Sequence, residues 1–263
     1  MRMFYWSWFC TNTLVIILLM IVLVGVSGCT WDTDPGTTGG YQVKNTTVEI
    51  ASRNLTYPAY LAAPSGEGRK PAIVLLHSRN GLEPGYRNLT DMLASKGYIA
   101  LSPEWQTFEQ SPQDETVERL LRDSVSYLRS RPDVNGNIGL TGFCAGGRYT
   151  MLFLPQIDDF RSGVAFYGFP YRGSANESTP ADVIERLKAP LLIIHGTHDQ
   201  GSPIADIYRY ATALNSSGKY FELKVYQGQP HGFMIDNGDL SDSSPAKDAG
   251  KEMVSFFDRT LRE

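Results

Sequence analysis

Gly142-Phe143-Cys144-Ala145-Gly146-Gly147-Arg148 follows the apolar run Asn137-Ile138-Gly139-Leu140-Thr141 and opens into Tyr149-Thr150-Met151-Leu152-Phe153-Leu154. This reads as strand, sharp turn and helix. Such a turn holds its central side chain above the C-terminal end of a sheet, and small flanking residues let the helix pass close to the strand. The pattern is the G-x-S-x-G nucleophile elbow with sulfur in place of oxygen, which makes Cys144 the candidate nucleophile. The competing reading is a buried cysteine that only packs a helix onto a strand.

The surrounding chain alternates strands and helices. Pro71 to His77, Tyr98 to Ser102, Ser162 to Gly168 and Pro190 to His195 are nearly unbroken apolar runs, as expected of strands buried on both faces. Between them, Asn88 to Lys96, Val117 to Arg131 and Ile204 to Leu214 repeat apolar residues at helical spacing. Tyr220 to Tyr226 alternates as a further strand, and Pro245 to Leu261 closes the chain as an amphipathic helix. Repeated βα units predict an α/β fold with a mostly parallel central sheet and helices on both faces. Thr47 to Ala51 and Leu55 to Ala62, around the turn Ser52-Arg53-Asn54, read as an antiparallel edge hairpin in which Pro58 fits an edge position.

Length and composition bound the function. The 263 residues, 42% hydrophobic, suffice for one sizeable core. A net charge of -4 without a basic stretch argues against nucleic acid as a partner. Arg2 is the only charge before Asp32, and the apolar run from Leu14 to Val26 has the length of a signal-peptide core. It ends in Val26-Ser27-Gly28-Cys29, which resembles the bacterial lipobox, whose cysteine is acylated to become the new N-terminus. Residues 1–28 are therefore expected to be a lipoprotein-type signal peptide and Cys29 the lipidation site. The Gly/Thr-rich residues 29–44 would form a flexible tether, and 45–263 the folded domain. The expected location is extracytoplasmic and membrane-anchored, with an uncleaved signal anchor or a secreted protein as the alternatives. Of the three cysteines, Cys10, Cys29 and Cys144, only the last lies in the folded domain, so no internal disulfide is possible there.

Loops at the carboxyl ends of the strands converge on one crevice. Three polar side chains are expected there: Cys144, Asp199 after the strand ending at His195, and His231 after the strand ending at Tyr226. Nucleophile, acid, histidine is the order of the α/β-hydrolase triad. The histidine would take the thiol proton, the aspartate would fix the imidazole tautomer, and sulfur would attack a carbonyl. The oxyanion would need two donors, assigned to the backbone N–H groups of Ala145 and Arg79. Ser78, Trp105 and Phe143 are the candidate substrate-binding residues, the two aromatics, with Phe108, suggesting an apolar mouth. His195-x-x-His198-Asp199 superficially suggests a metal site, but Asp199 is claimed by the triad, so neither metal nor cofactor is expected. Carbon-halogen hydrolysis on the same fold is disfavoured by a Cys rather than Asp nucleophile.

The elbow, the strand-loop His195-Gly196-Thr197-His198-Asp199 and Pro230-His231-Gly232-Phe233 together resemble the dienelactone hydrolase family, from about Thr47 to the C-terminus. The resemblance implies an α/β-hydrolase fold and a Cys-Asp-His triad on Cys144, Asp199 and His231. In the family's namesake enzymes a glutamate contacts the cysteine, and Ser78 stands at that position here. The arginines that bind the dienelactone carboxylate are replaced by the region Glu104-Trp105-Gln106-Thr107 and by Ile235. The expected activity is hydrolysis of small esters, thioesters or lactones through an acyl-enzyme. The alternative is a non-catalytic extracytoplasmic binding protein on a hydrolase scaffold.

Overall fold

Residues 40–173 and 178–262 are described by a computed structural model of the chain. The signal-type segment, Cys29 and the tether up to residue 39 lie outside them. Six strands run parallel: β3 (Lys70–Leu76), β4 (Ile99–Pro103), β5 (Val134–Phe143), β6 (Phe160–Phe166), β7 (Leu191–Gly196) and β8 (Phe221–Tyr226). With β1 (Val43–Ser52) and β2 (Leu55–Pro64) they form an eight-stranded sheet in the order β1-β2-β4-β3-β5-β6-β7-β8.

The side-chain period of two along β3 divides the core. Ala72, Val74 and Leu76 join one apolar cluster, and Ile73 and Leu75 join the other. The first cluster is covered by α2 (Asp114–Ser130), α3 (Ala145–Phe153) and α4 (Ile204–Ser216). The second is covered by α1 (Pro84–Ser95) and α5 (Ser244–Leu261). Because helices cover both faces, β3 from Pro71 to Leu76 is wholly buried.

Four details differ from the sequence reading. The hairpin pairs antiparallel as expected, but only β1 is an edge; β2 also pairs antiparallel with β4. Pro58 is tolerated because it lies one residue beyond the last β2–β4 pair, Ala59 with Pro103, and uses its carbonyl to accept from Glu104 N. β1 starts at Val43, so Val43 and Lys44 belong to the sheet and not to the tether. Helix α1 begins at Pro84, a residue pre-set for a first turn, and this extra turn carries Tyr86. A short hairpin, β9 (Ile235–Asp236) and β10 (Asp239–Leu240), turns at Asn237-Gly238, both with positive φ. Asn-Gly between two short strands is a strong hairpin signal that the sequence reading passed over.

Candidate active site

The elbow is built at the end of β5. Cys144 has φ 57° and ψ −112°, a left-handed conformation that costs a side-chain-bearing residue of order 1–3 kcal/mol. The close approach of α3 explains the flanking glycines. A Cβ on Gly142 would meet Gly146 O at 2.1 Å, and one on Gly146 would meet Leu76 O at 2.2 Å. Cys144 N donates to Phe166 O at 3.1 Å and is thereby spent. The Ala145 N–H, at the first position of α3, has no acceptor within the helix and stands at the positive end of its dipole.

Cys144 and His231 line one cleft of about 600 Å³, and Cys144 is close enough to help raise the His231 pKa. On its other side, His231 Nδ1 lies 2.7 Å from Asp199 Oδ2. A carboxylate only accepts, so Nδ1 carries the proton and Nε2 is left for sulfur. Asp199 is buried, and its Oδ1 accepts from Ser202 N at 2.7 Å. Thus Cys144, His231 and Asp199 are brought together from the ends of β5, β8 and β7.

Charge within this row is set by competing effects. Burial alone would lower the His231 pKa, but hydrogen bonds to Asp199 and Cys144, with their charges, outweigh it and push the pKa up to about 9. Burial would raise the Asp199 carboxyl, yet the hydrogen bonds from His231 and Ser202 N hold it below its ordinary value. The ring and the carboxylate therefore form an ion pair at neutral pH.

Ser78 and Arg79 line the cleft as expected, but Trp105 and Phe143 do not. Phe143 points away from the cleft because β5 alternates its faces, and it stacks on Phe166 at 4.4 Å in the core. Trp105 lies behind the Ser78 loop, stacked on His77 at 5.0 Å. Phe108 packs edge-on against Tyr57. The aromatic mouth is instead made by Tyr86, Tyr167 and Phe169.

The two tyrosines were not singled out from the sequence, since an aromatic on an apolar helix face or at a strand end reads as core. Tyr86 lines the cleft beside Ser78 and Cys144, and burial raises its pKa. The buried Tyr167 hydroxyl has no hydrogen bond of ordinary geometry among the described residues, and its polar neighbours include Tyr86 and Cys144. Arg172 reaches the cleft with its guanidinium over Phe169 at 4.5 Å. Glu83 also lines the cleft, its carboxyl pKa raised by burial.

The remaining histidines separate. His195 is buried, with Nε2 2.8 Å from Ser202 O and its pKa lowered by burial, whereas His198 is exposed. Of the two positions that replace the family arginines, Glu104 pairs with Arg87 at 3.5 Å and Ile235 lines the cleft.

Residues 57–261 match the model of the dienelactone hydrolase family. The chain belongs to this family. A protein of Methylorubrum extorquens provisionally named carboxymethylenebutenolidase is 30% identical over 230 residues, covering 80% of this chain and 79% of the relative. A Synechocystis protein of the same provisional name is 26% identical and covers 84% and 98%. The crystal structure of a provisionally named dienelactone hydrolase from Klebsiella pneumoniae superposes with a TM-score of 0.77 at 25% identity, covering 82% of this chain and 98% of that one. An acylaminoacyl peptidase of Pyrococcus horikoshii, with a TM-score of 0.69 at 20% identity over 84% of this chain and 42% of its own, shares the fold. Dienelactone hydrolase family membership makes the chain a hydrolase of α/β-hydrolase architecture.

Proposed function

We propose that the protein hydrolyses small esters, thioesters or lactones through a Cys144 acyl-enzyme. The observation that carries this reading is the 2.7 Å Asp199–His231 bond beside the strained elbow, whose Cys144 lines the same cleft as His231. The thiolate is the attacking species, and His231 is placed to take the thiol proton. Sulfur adds to the substrate carbonyl, and the resulting oxyanion is held by the N–H groups of Ala145 and Arg79. Collapse expels the alkoxide or thiolate, which takes the proton from His231 Nε2. Water then attacks the thioester as His231 accepts its proton, and the carboxylic acid leaves with the thiolate restored.

The names of the relatives point to a lactone of carboxymethylenebutenolide type. The replacement of the carboxylate-binding arginines by the Glu104 region and Ile235 supports a broader class of small acyl substrates. No step uses a cofactor. We also propose that Cys29 is acylated and that the domain works outside the cytoplasm on a membrane tether.

The test is hydrolysis of a short-chain p-nitrophenyl ester by the wild type, Cys144→Ala and His231→Ala. Both variants are expected to lose at least about a thousandfold in kcat/KM, the scale at which triad members act. A folded wild type without activity, or one whose activity survives Cys144→Ala, would overturn the reading in favour of a binding protein.

A further inference from the structure

His77 ends β3 directly before the loop that supplies one expected oxyanion donor. It is completely buried and does not line the cleft. Its Nδ1 lies 2.7 Å from the carbonyl oxygen of Ser78. A carbonyl only accepts, so Nδ1 carries the hydrogen and donates it. That carbonyl also accepts from Gly81 N at 3.3 Å.

The Ser78 carbonyl and the Arg79 N–H belong to one peptide unit. No described peptide bond is cis, so the two groups point in opposite directions. With the carbonyl turned towards His77, behind the loop, the N–H is turned the other way, towards the cleft that Ser78 and Arg79 line. The Arg79 N–H has no acceptor among the described residues.

The ring is itself held. Trp105 stacks on it at 5.0 Å with 14° between the planes, and Trp105 Nε1 donates to His77 O at 3.3 Å. The next carbonyl, of Arg79, accepts from Gln106 Nε2 and Gln110 Nε2, each at 3.0 Å. Three successive carbonyls are thus fixed by side chains, with the donor peptide in the middle.

We propose that His77 is a positioning residue for the oxyanion hole, its Nδ1–H holding the Ser78–Arg79 peptide so that the Arg79 N–H meets the oxygen developing at Cys144. Trp105, Gln106 and Gln110 brace the same loop. Hydrogen bonding to the carbonyl also polarises the peptide and strengthens its N–H as a donor. This inference rests on the reading of Cys144 as the nucleophile.

The test measures kcat and KM for p-nitrophenyl acetate, together with the rate of Cys144 alkylation by iodoacetamide, which displaces iodide and needs no oxyanion hole. The proteins compared are the wild type, Cys144→Ala, His77→Leu, His77→Asn and the double variant Gln106→Ala, Gln110→Ala. Loss of a whole oxyanion donor lowers kcat by about 10²–10³, so a misaimed one in His77→Leu is expected to cost about 10–100-fold in kcat. KM should change by less than about threefold and alkylation should keep its wild-type rate. His77→Asn, whose amide can reach the same carbonyl, should recover most of the loss, and the glutamine variant should show a smaller fall in kcat alone.

Cys144-dependent hydrolysis that is indifferent to His77→Leu would overturn the proposal alone. So would an Asn variant as impaired as the Leu variant, with alkylation falling in parallel. If His77→Leu does not fold, the glutamine pair decides, an unchanged kcat counting against the proposal. Hydrolysis that survives Cys144→Ala would overturn the functional reading and this inference with it.

Discussion

At neutral pH the His231 ring is protonated because Asp199 on one side and Cys144 on the other stabilise its charge more than burial penalises it. The sign of the linkage follows. A histidine whose pKa is higher folded than unfolded stabilises the fold fully below its unfolded value of 6.5, and this contribution is lost as pH rises through about 9. Urea unfolding of the wild type should therefore show stability falling between pH 6.5 and pH 9.5, and His231→Gln should flatten that fall. Equal slopes in the two proteins would mean that the ring is not charged in the fold. The opposite case is His77, whose burial pushes its pKa down to about 4 against the hydrogen bond to Ser78 O, so it stays neutral in the same range. The half-buried His231 and the buried His77 thus differ in charge because, of these two, only His231 faces a carboxylate.

The elements were legible where periodicity reported burial, and the gathering of Cys144, Asp199 and His231 at one cleft was legible because each follows a separate strand of the parallel sheet. The substrate side of the site was less so. Trp105 and Phe143 lie in the right segments, but whether a loop aromatic faces a cleft or the core depends on backbone direction, which no residue type encodes. Tyr86 was hidden because Pro84-Gly85 reads as loop, whereas Pro84 starts α1 and Gly85 lets it touch the β9–β10 hairpin, a Cβ there meeting Asp239 C at 2.8 Å. Closing the sheet face beneath α1 falls to α5, whose amphipathic pattern was plain. Phe257 of α5 is completely buried over Gly139, where an added Cβ would meet its ring at 2.7 Å, and lies 6.3 Å from the Tyr98 ring. Phe257→Ala is expected to cost about 3–5 kcal/mol in urea unfolding, the usual range for emptying such a site. Gly139 stands five residues before Cys144 along β5, so kcat of the folded variant should stay near the wild-type value. A loss below about 1 kcal/mol would show that α5 does not seal this face.

For the whole chain, charge and the amino-terminal residues make separate statements about membranes. The net charge of -4, with a sequence pI near 5.6, gives no general attraction to an anionic bilayer surface. Among the described residues no helix is long and apolar enough to cross a membrane. The proposed lipid anchor assigns membrane residence to the segment ending at Cys29. Several acyl chains on one N-terminal cysteine hold a protein stably where a single chain does not. Expressed in a bacterial host, the wild type should sediment with membranes, resist a high-salt wash, dissolve in detergent and incorporate labelled palmitate. Cys29→Ala should lose the palmitate label and, as an unprocessed precursor, keep its apolar segment, giving a larger band on electrophoresis. A wild type that migrates at the precursor size without label would overturn acylation in favour of an uncleaved anchor, and one recovered in the soluble fraction at mature size would favour secretion. Replacing residues 1–29 by a cleavable secretory signal should free the domain from the membrane with the proposed ester hydrolysis unchanged, because the proposed triad lies wholly within the region from β5 to the loop after β8.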